Sequence, residues 1–184
     1  MKLEEGEEDM IVGIDVEYTS PEDGDNQRAA LVQLCIGKKV LLYHISEADR
    51  RCFKFDDFLM NSWYTFAGFS IKRDIELVEK SGLYVSNFVD IQEKWRVPKP
   101  YKPMDSLADV AELIIDEDYG NMKVGFSFTD HCQWAWYPLS RKHIKYAAID
   151  AFAAYDIWRR MTVFKRGYQR AKMDRENKFS RGLF

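Results

Sequence analysis

Met10-Ile11-Val12-Gly13-Ile14-Asp15-Val16-Glu17 opens with an unbroken apolar run, as a central strand buried on both faces requires. Alternate residues of a strand share a face, so Asp15 and Glu17 project together from its end. Like charges so placed repel, and the pair calls for a cation between them or for protonation of one. A hard divalent ion with oxygen ligands satisfies both carboxylates at once. Taken alone, an Asp-x-Glu pair is more often a solvated strand end.

Working outward, residues 20–28 carry turn chemistry and form an exposed loop. Ala30 to Ile36 and Val40 to Ile45 read as strands joined at Gly37-Lys38-Lys39, a hairpin. Arg51 to Met60 has Phe55, Phe58 and Leu59 at helical spacing, and Tyr64 to Phe69 is a short strand. A helix follows from Ile71 to Lys80, with Ile71, Ile75 and Val78 on one face and Gly82 beyond its end. A strand around Asn87 to Ile91 precedes the proline-rich loop Pro98-Lys99-Pro100-Tyr101-Lys102-Pro103. Asp105 or Ser106 caps a helix reaching about Ile115, residues 116–138 show no clear period, and Ser140 caps a long helix through about Phe164. This order of elements is an α/β layer fold with a mixed sheet.

At 184 residues the chain fits one domain with a single core. Its 46% hydrophobic and 31% charged residues are ordinary for a soluble globular protein, and no apolar run is long enough to span a membrane. The start, Met1-Lys2-Leu3-Glu4-Glu5-Gly6-Glu7-Glu8-Asp9, has the opposite character to a signal peptide. Cys35, Cys52 and Cys132 lack paired spacing, which points to a reducing, intracellular location, nuclear or cytoplasmic. A zinc site built from His131, Cys132 and His143 is the weaker alternative for the same reason. The net charge of −3 hides an acidic segment at 1–9 and a basic tail at 165–184, which flank the domain at 10–164. Such a tail either attracts phosphate or is simply a solvated helical end.

On the last helix Tyr146 and Asp150 are four residues apart and share a face. Ala147, Ala148, Ala151, Ala153 and Ala154 let that helix lie close to a sheet, which brings Asp150 within reach of the first strand's end. Asp74 falls in the first turn of its helix, where the dipole alone stabilises a carboxylate.

In combination, Asp15-Val16-Glu17, Gly68-Phe69-Ser70-Ile71-Lys72-Arg73-Asp74 and Tyr146-Ala147-Ala148-Ile149-Asp150-Ala151 resemble the three motifs of the DEDDy 3′-5′ exonucleases. The likeness is greatest to the branch containing RNase D and the Werner syndrome protein's exonuclease domain. Leu31-Val32-Gln33-Leu34-Cys35 and Trp134-Ala135-Trp136-Tyr137-Pro138-Leu139-Ser140 are similar to further segments of that branch. The resemblance covers about residues 10–162. Tyr18 stands where relatives often have Trp, and Ala135 where they often have a polar residue. Sister enzymes with a catalytic histidine would carry it at the position of Lys145, which favours Tyr146 here. The chain is thus expected to be a stand-alone nuclease or an excised domain.

The resemblance implies an RNase H-like fold with a central mixed five-stranded sheet flanked by α-helices. It implies two divalent cations, Mg²⁺ or Mn²⁺, held by Asp15, Glu17, Asp74 and Asp150, with Asp74 acting largely through water. Tyr146 would orient the attacking water, and the substrate would be RNA or DNA with a free 3′ end. Val16, Tyr18, Phe69 and Trp134 are candidates to hold the terminal nucleotides by backbone contact or stacking. Trp136 and Tyr137 are candidates for stacking or for the core, and Lys72, Arg73, Arg141, Lys142 and Lys145 for steering phosphate. The alternatives are a catalytically silent exonuclease-like domain that binds nucleic acid or a protein partner, and an unrelated metal-dependent nucleotide phosphohydrolase.

Overall fold

The computed structural model describes residues 10–20, 26–95 and 105–180, leaving aside the side chains of residues 171 and 174–180. The acidic segment at 1–9, most of the loop at 20–28 and the proline-rich loop lie outside the described residues. Five strands, β1 (Ile11–Tyr18), β2 (Ala29–Ile36), β3 (Lys39–His44), β4 (Thr65–Gly68) and β5 (Phe88–Asp90), form one sheet of order β3-β2-β1-β4-β5. The β3-β2-β1 half is antiparallel and the β1-β4-β5 half parallel, so the sheet is mixed as expected.

Both faces of β1 are covered, which is why its sequence begins as a continuous apolar run. On one face Val12, Ile14 and Val16 meet Phe55 and Leu59 of α1 (Phe53–Leu59) and Ile75 and Val78 of α2 (Lys72–Lys80). Ile71, just before α2, completes that layer. Each large side chain so enclosed contributes about 1.5–3 kcal/mol of burial free energy.

The other face carries α6 (Arg141–Ser180), started by Ser140, whose Oγ accepts from the His143 N–H at 3.3 Å. α6 approaches β1 so closely that a Cβ at Gly13 would sit 2.2 Å from the Ala151 carbonyl oxygen and 2.7 Å from the Tyr155 Cβ. Buried Ala147, Ala151 and Ala154 on the facing helix surface allow this approach. Farther along, Ala153, Ala154 and Ile157 pack on Leu107, Val110 and Ala111 of α4 (Leu107–Ile114), which Ser106 caps.

α6 does not stop near Phe164 but continues to Ser180. Residues 164–170 are mostly exposed, so packing does not hold this extension; Lys, Arg, Gln and Ala, strong helix formers, carry it. The other helices are the one-turn α3 (Ile91–Lys94) and α5 (Phe128–His131). The unassigned stretch 116–138 is a 3₁₀ turn, Glu117–Asn121, followed by α5 and a run of turns. Among the described residues no helix is long and apolar enough to cross a membrane.

Candidate active site

β1 delivers Asp15 and Glu17, and α6 delivers Asp150, to one point beside the end of the central strand. One carboxylate oxygen from each lies within 4.8 Å of the others. Glu17 and Asp150 are buried and Asp15 is partly so. Oxygens on opposite sides of a Mg²⁺ ion are about 4.2 Å apart, so three hard oxygen donors within 4.8 Å of one another need only a small inward shift to share a single divalent ion.

This convergence crowds negative charge. Burial pushes the Asp15 carboxyl well above its ordinary range, and Asp150 and Asp74 push it further. Glu17 is raised likewise, first by burial and then by Asp15 and Asp150. Asp74, in the first turn of α2, lies outside the three-oxygen cluster yet is felt by both β1 acids. Its own carboxyl rises to about 7, through burial and then Asp90. Asp90 in turn fixes the turn into α2: its Oδ1 accepts from the Ser70 N–H at 3.0 Å, and Ser70 has a φ of 58°. Acids gathered out of water at such a site stay protonated or take up a cation.

Tyr146 lies one helical turn before Asp150 on the same face of α6, and its hydroxyl works against the rise that burial imposes on that carboxyl. Burial first, and Asp150 second, raise its phenol, so it stays protonated at neutral pH. The stretch 116–138 builds its socket. Phe126 stacks on the Tyr146 ring at 4.0 Å between centroids and on Trp134 at 5.4 Å, and Trp134 meets His143 edge-on at 4.7 Å. The same stretch brings in Lys123, which sequence reasoning missed. Its Nζ lies 2.8 Å from Asp150 Oδ2 and 5.1 Å from the Tyr146 ring centre. Burial pulls the Lys123 ammonium down, but Asp150 and Tyr146 outweigh it and hold it above the ordinary lysine value.

The substrate-contact candidates are placed unevenly. Trp134 is only 1% exposed, so its ring supports Tyr146 from within and does not offer a face to a base. Trp136 and Tyr137, for which the core was the competing expectation, are exposed, at 65% and 74%. Phe69 is half-buried against the α4–α6 core, Val16 is buried, and the Tyr18 hydroxyl is enclosed. Lys72 is exposed and paired with Glu93, and Lys145 is exposed. The zinc alternative fails on His143, whose Nδ1 meets Ser140 Oγ at 2.7 Å and whose Nε2 meets the Asp130 carbonyl at 3.0 Å. Among the described residues the three cysteines are free and Asp15, Glu17 and Asp150 form the only metal-competent cluster.

A mixed sheet in this order, flanked by helices and carrying converging acids at the end of its central strand, defines an RNase H-like nuclease fold. The profile describing 3′-5′ exonucleases matches residues 2–163, and the chain belongs to that family. The likeness to DEDDy exonucleases read from the motifs is thereby borne out. No curated protein sequence matches the chain. Among solved structures it is similar to the Nibbler EXO domain of Aedes aegypti, with a TM-score of 0.62, 19% identity and coverage of 82% of this chain and 77% of that one. NrnC of Brucella melitensis bound to pGG gives a TM-score of 0.66 at 16% identity, over 91% of this chain and 77% of that one. RNase D of Escherichia coli, an exoribonuclease involved in structured RNA processing, gives 0.61 at 18% identity, over 91% of this chain but only 43% of its own. At such identities the likeness is one of fold.

Proposed function

We propose that the protein is a metal-dependent 3′-5′ exonuclease that removes nucleoside monophosphates from the 3′ end of a nucleic acid. The observation that carries this reading is the meeting of Asp15, Glu17 and Asp150 within 4.8 Å, with Tyr146 one helical turn from the last of them. In this reading Asp15, Glu17 and Asp150 hold one divalent ion, and Asp15 together with Asp74, largely through water, serves a second. Divalent ions held there would supply Lewis-acid charge to the hydrolysis of the phosphodiester. Tyr146, fixed by Phe126 behind and Asp150 beside it, directs the attacking water toward phosphorus. Exposed Trp136 and Tyr137 offer faces for terminal bases, and exposed Lys145 a charge for the phosphate backbone. RNase D from Trypanosoma brucei, of similar fold, has been seen in complex with RNA U12, and NrnC with pGG, which supports a nucleic-acid substrate.

The test is a time course on 3′- and 5′-labelled RNA and DNA oligonucleotides with Mg²⁺, Mn²⁺ or chelator. Stepwise shortening from the 3′ end, abolished by chelator and by Asp15→Asn in a folded protein, is the expected result. Degradation that survives Asp15→Asn defeats the assignment.

A further inference from the structure

The Lys123 ammonium contacts Asp150 Oδ2 at 2.8 Å and lies 5.1 Å from the centre of the Tyr146 ring. The two ends of this contact differ in freedom: the Lys123 side chain is 42% exposed and that of Asp150 only 4%. Asp150 is fixed by α6, whereas Lys123 reaches in from a connecting stretch on a flexible four-carbon stem. A lysine so placed is a displaceable cation on a carboxylate that also belongs to the three-acid cluster.

We propose that Lys123 is an internal counter-cation that competes with a divalent ion for Asp150, so that this lysine, as well as the ligands, sets the metal affinity of the site. The inference rests on the reading of Asp15, Glu17 and Asp150 as a ligand set. Its physical basis is simple. An ammonium at hydrogen-bond distance uses a lone pair of the oxygen it contacts, and its positive charge repels any second cation a few ångströms away. Metal entry therefore requires the lysine to loosen or leave. When it leaves, Asp150 exchanges one cation for another and the buried acids never stand uncompensated. Lys123 acts here as a positioning residue, and its release also takes its charge away from the Tyr146 ring.

The test is a Mn²⁺ titration of the full chain, read from the electron paramagnetic resonance signal of free Mn²⁺, without substrate. Lys123→Met should bind Mn²⁺ about tenfold more tightly than wild type, because a repelling charge has gone. Lys123→Arg, which keeps the charge, should stay within about twofold of wild type. In chelator, Lys123→Met should melt below wild type, and saturating Mn²⁺ should remove that difference. If Lys123→Met does not fold, Lys123→Gln gives the same readout. Unchanged or weaker Mn²⁺ affinity in a folded, charge-free variant overturns the inference while leaving the exonuclease reading intact. Failure of the wild type itself to bind Mn²⁺ overturns the ligand set and, with it, the competition.

Discussion

Gln33 of β2 stands directly opposite Asp15 of β1, and its fully buried amide has neither Nε2 nor Oε1 paired with a protein group. Directly opposed residues on neighbouring strands lie on one face with Cβ atoms about 5 Å apart, so this amide borders the acidic cluster. An unpaired buried amide costs stability, by about 1–3 kcal/mol. Gln33→Leu, of similar volume, should therefore leave the melting temperature unchanged or raise it. The same change should lower nuclease activity, because Asp15 loses its polar neighbour. A stability loss beyond about 2 kcal/mol in chemical denaturation would show that the amide is satisfied and structural.

Gly13 is where α6 rests on β1, and the position has no room for a methyl group. A Cβ there would meet the Ala151 carbonyl oxygen at 2.2 Å, a backbone atom that moves only with the helix. Gly13→Ala should destabilise the protein by about 3 kcal/mol, the upper range for overpacking. Asp150 sits on the same helix, so nuclease activity should fall more than the folded fraction does. Equilibrium denaturation and activity per folded molecule check the two effects separately.

These two contacts show what the sequence made legible. The unbroken run before Asp15 marks a strand covered on both sides, and the alanines around Asp150 mark a helix that can lie on it. Their meeting was readable because both patterns repeat over several residues. Lys123 was not readable, since it lies in a stretch without period whose path is set by Phe126 and Trp134 packing around Tyr146. Trp134 differs from its sequence expectation for a related reason: an aromatic next to a motif does not say whether its ring faces the substrate or the core, and this one is buried. α6 outruns its apolar stripe, which fades near Phe164, because helix propensity persists to Ser180.

Asp74 makes the chelator-treated protein sensitive to pH. Its carboxyl titrates near 7 in the folded protein against an ordinary 3.8. Between those values the folded state keeps a proton that the unfolded chain has lost, so stability falls as pH rises from about 4 to about 7 and then levels. Asp15 and Glu17, both raised, add to the fall in the same direction. Asp74→Asn should gain about 1–2 kcal/mol over wild type at pH 7.5 in chelator, after allowance for partial solvent screening. Mg²⁺ should then stabilise wild type more than the variant, and thermal melts across pH with and without Mg²⁺ read both effects.

Tyr146→Phe isolates one oxygen. The ring that stacks on Phe126 at 4.0 Å is kept, so the socket and the fold should survive. Lost is only the hydroxyl, a polar neighbour of Asp150 and Lys123. If the hydroxyl directs the attacking water, its removal lets the water wander by about 1 Å, and misplacement on that scale costs on the order of a hundredfold in rate. The loss should appear in kcat with KM nearly unchanged, because the interaction matters when the water attacks and not when the strand binds. Equal loss in KM with normal kcat would instead assign the hydroxyl to holding the terminal nucleotide. Pre-steady-state cleavage of a 3′-labelled oligonucleotide at saturating enzyme separates the two, since it reads the chemical step free of substrate affinity.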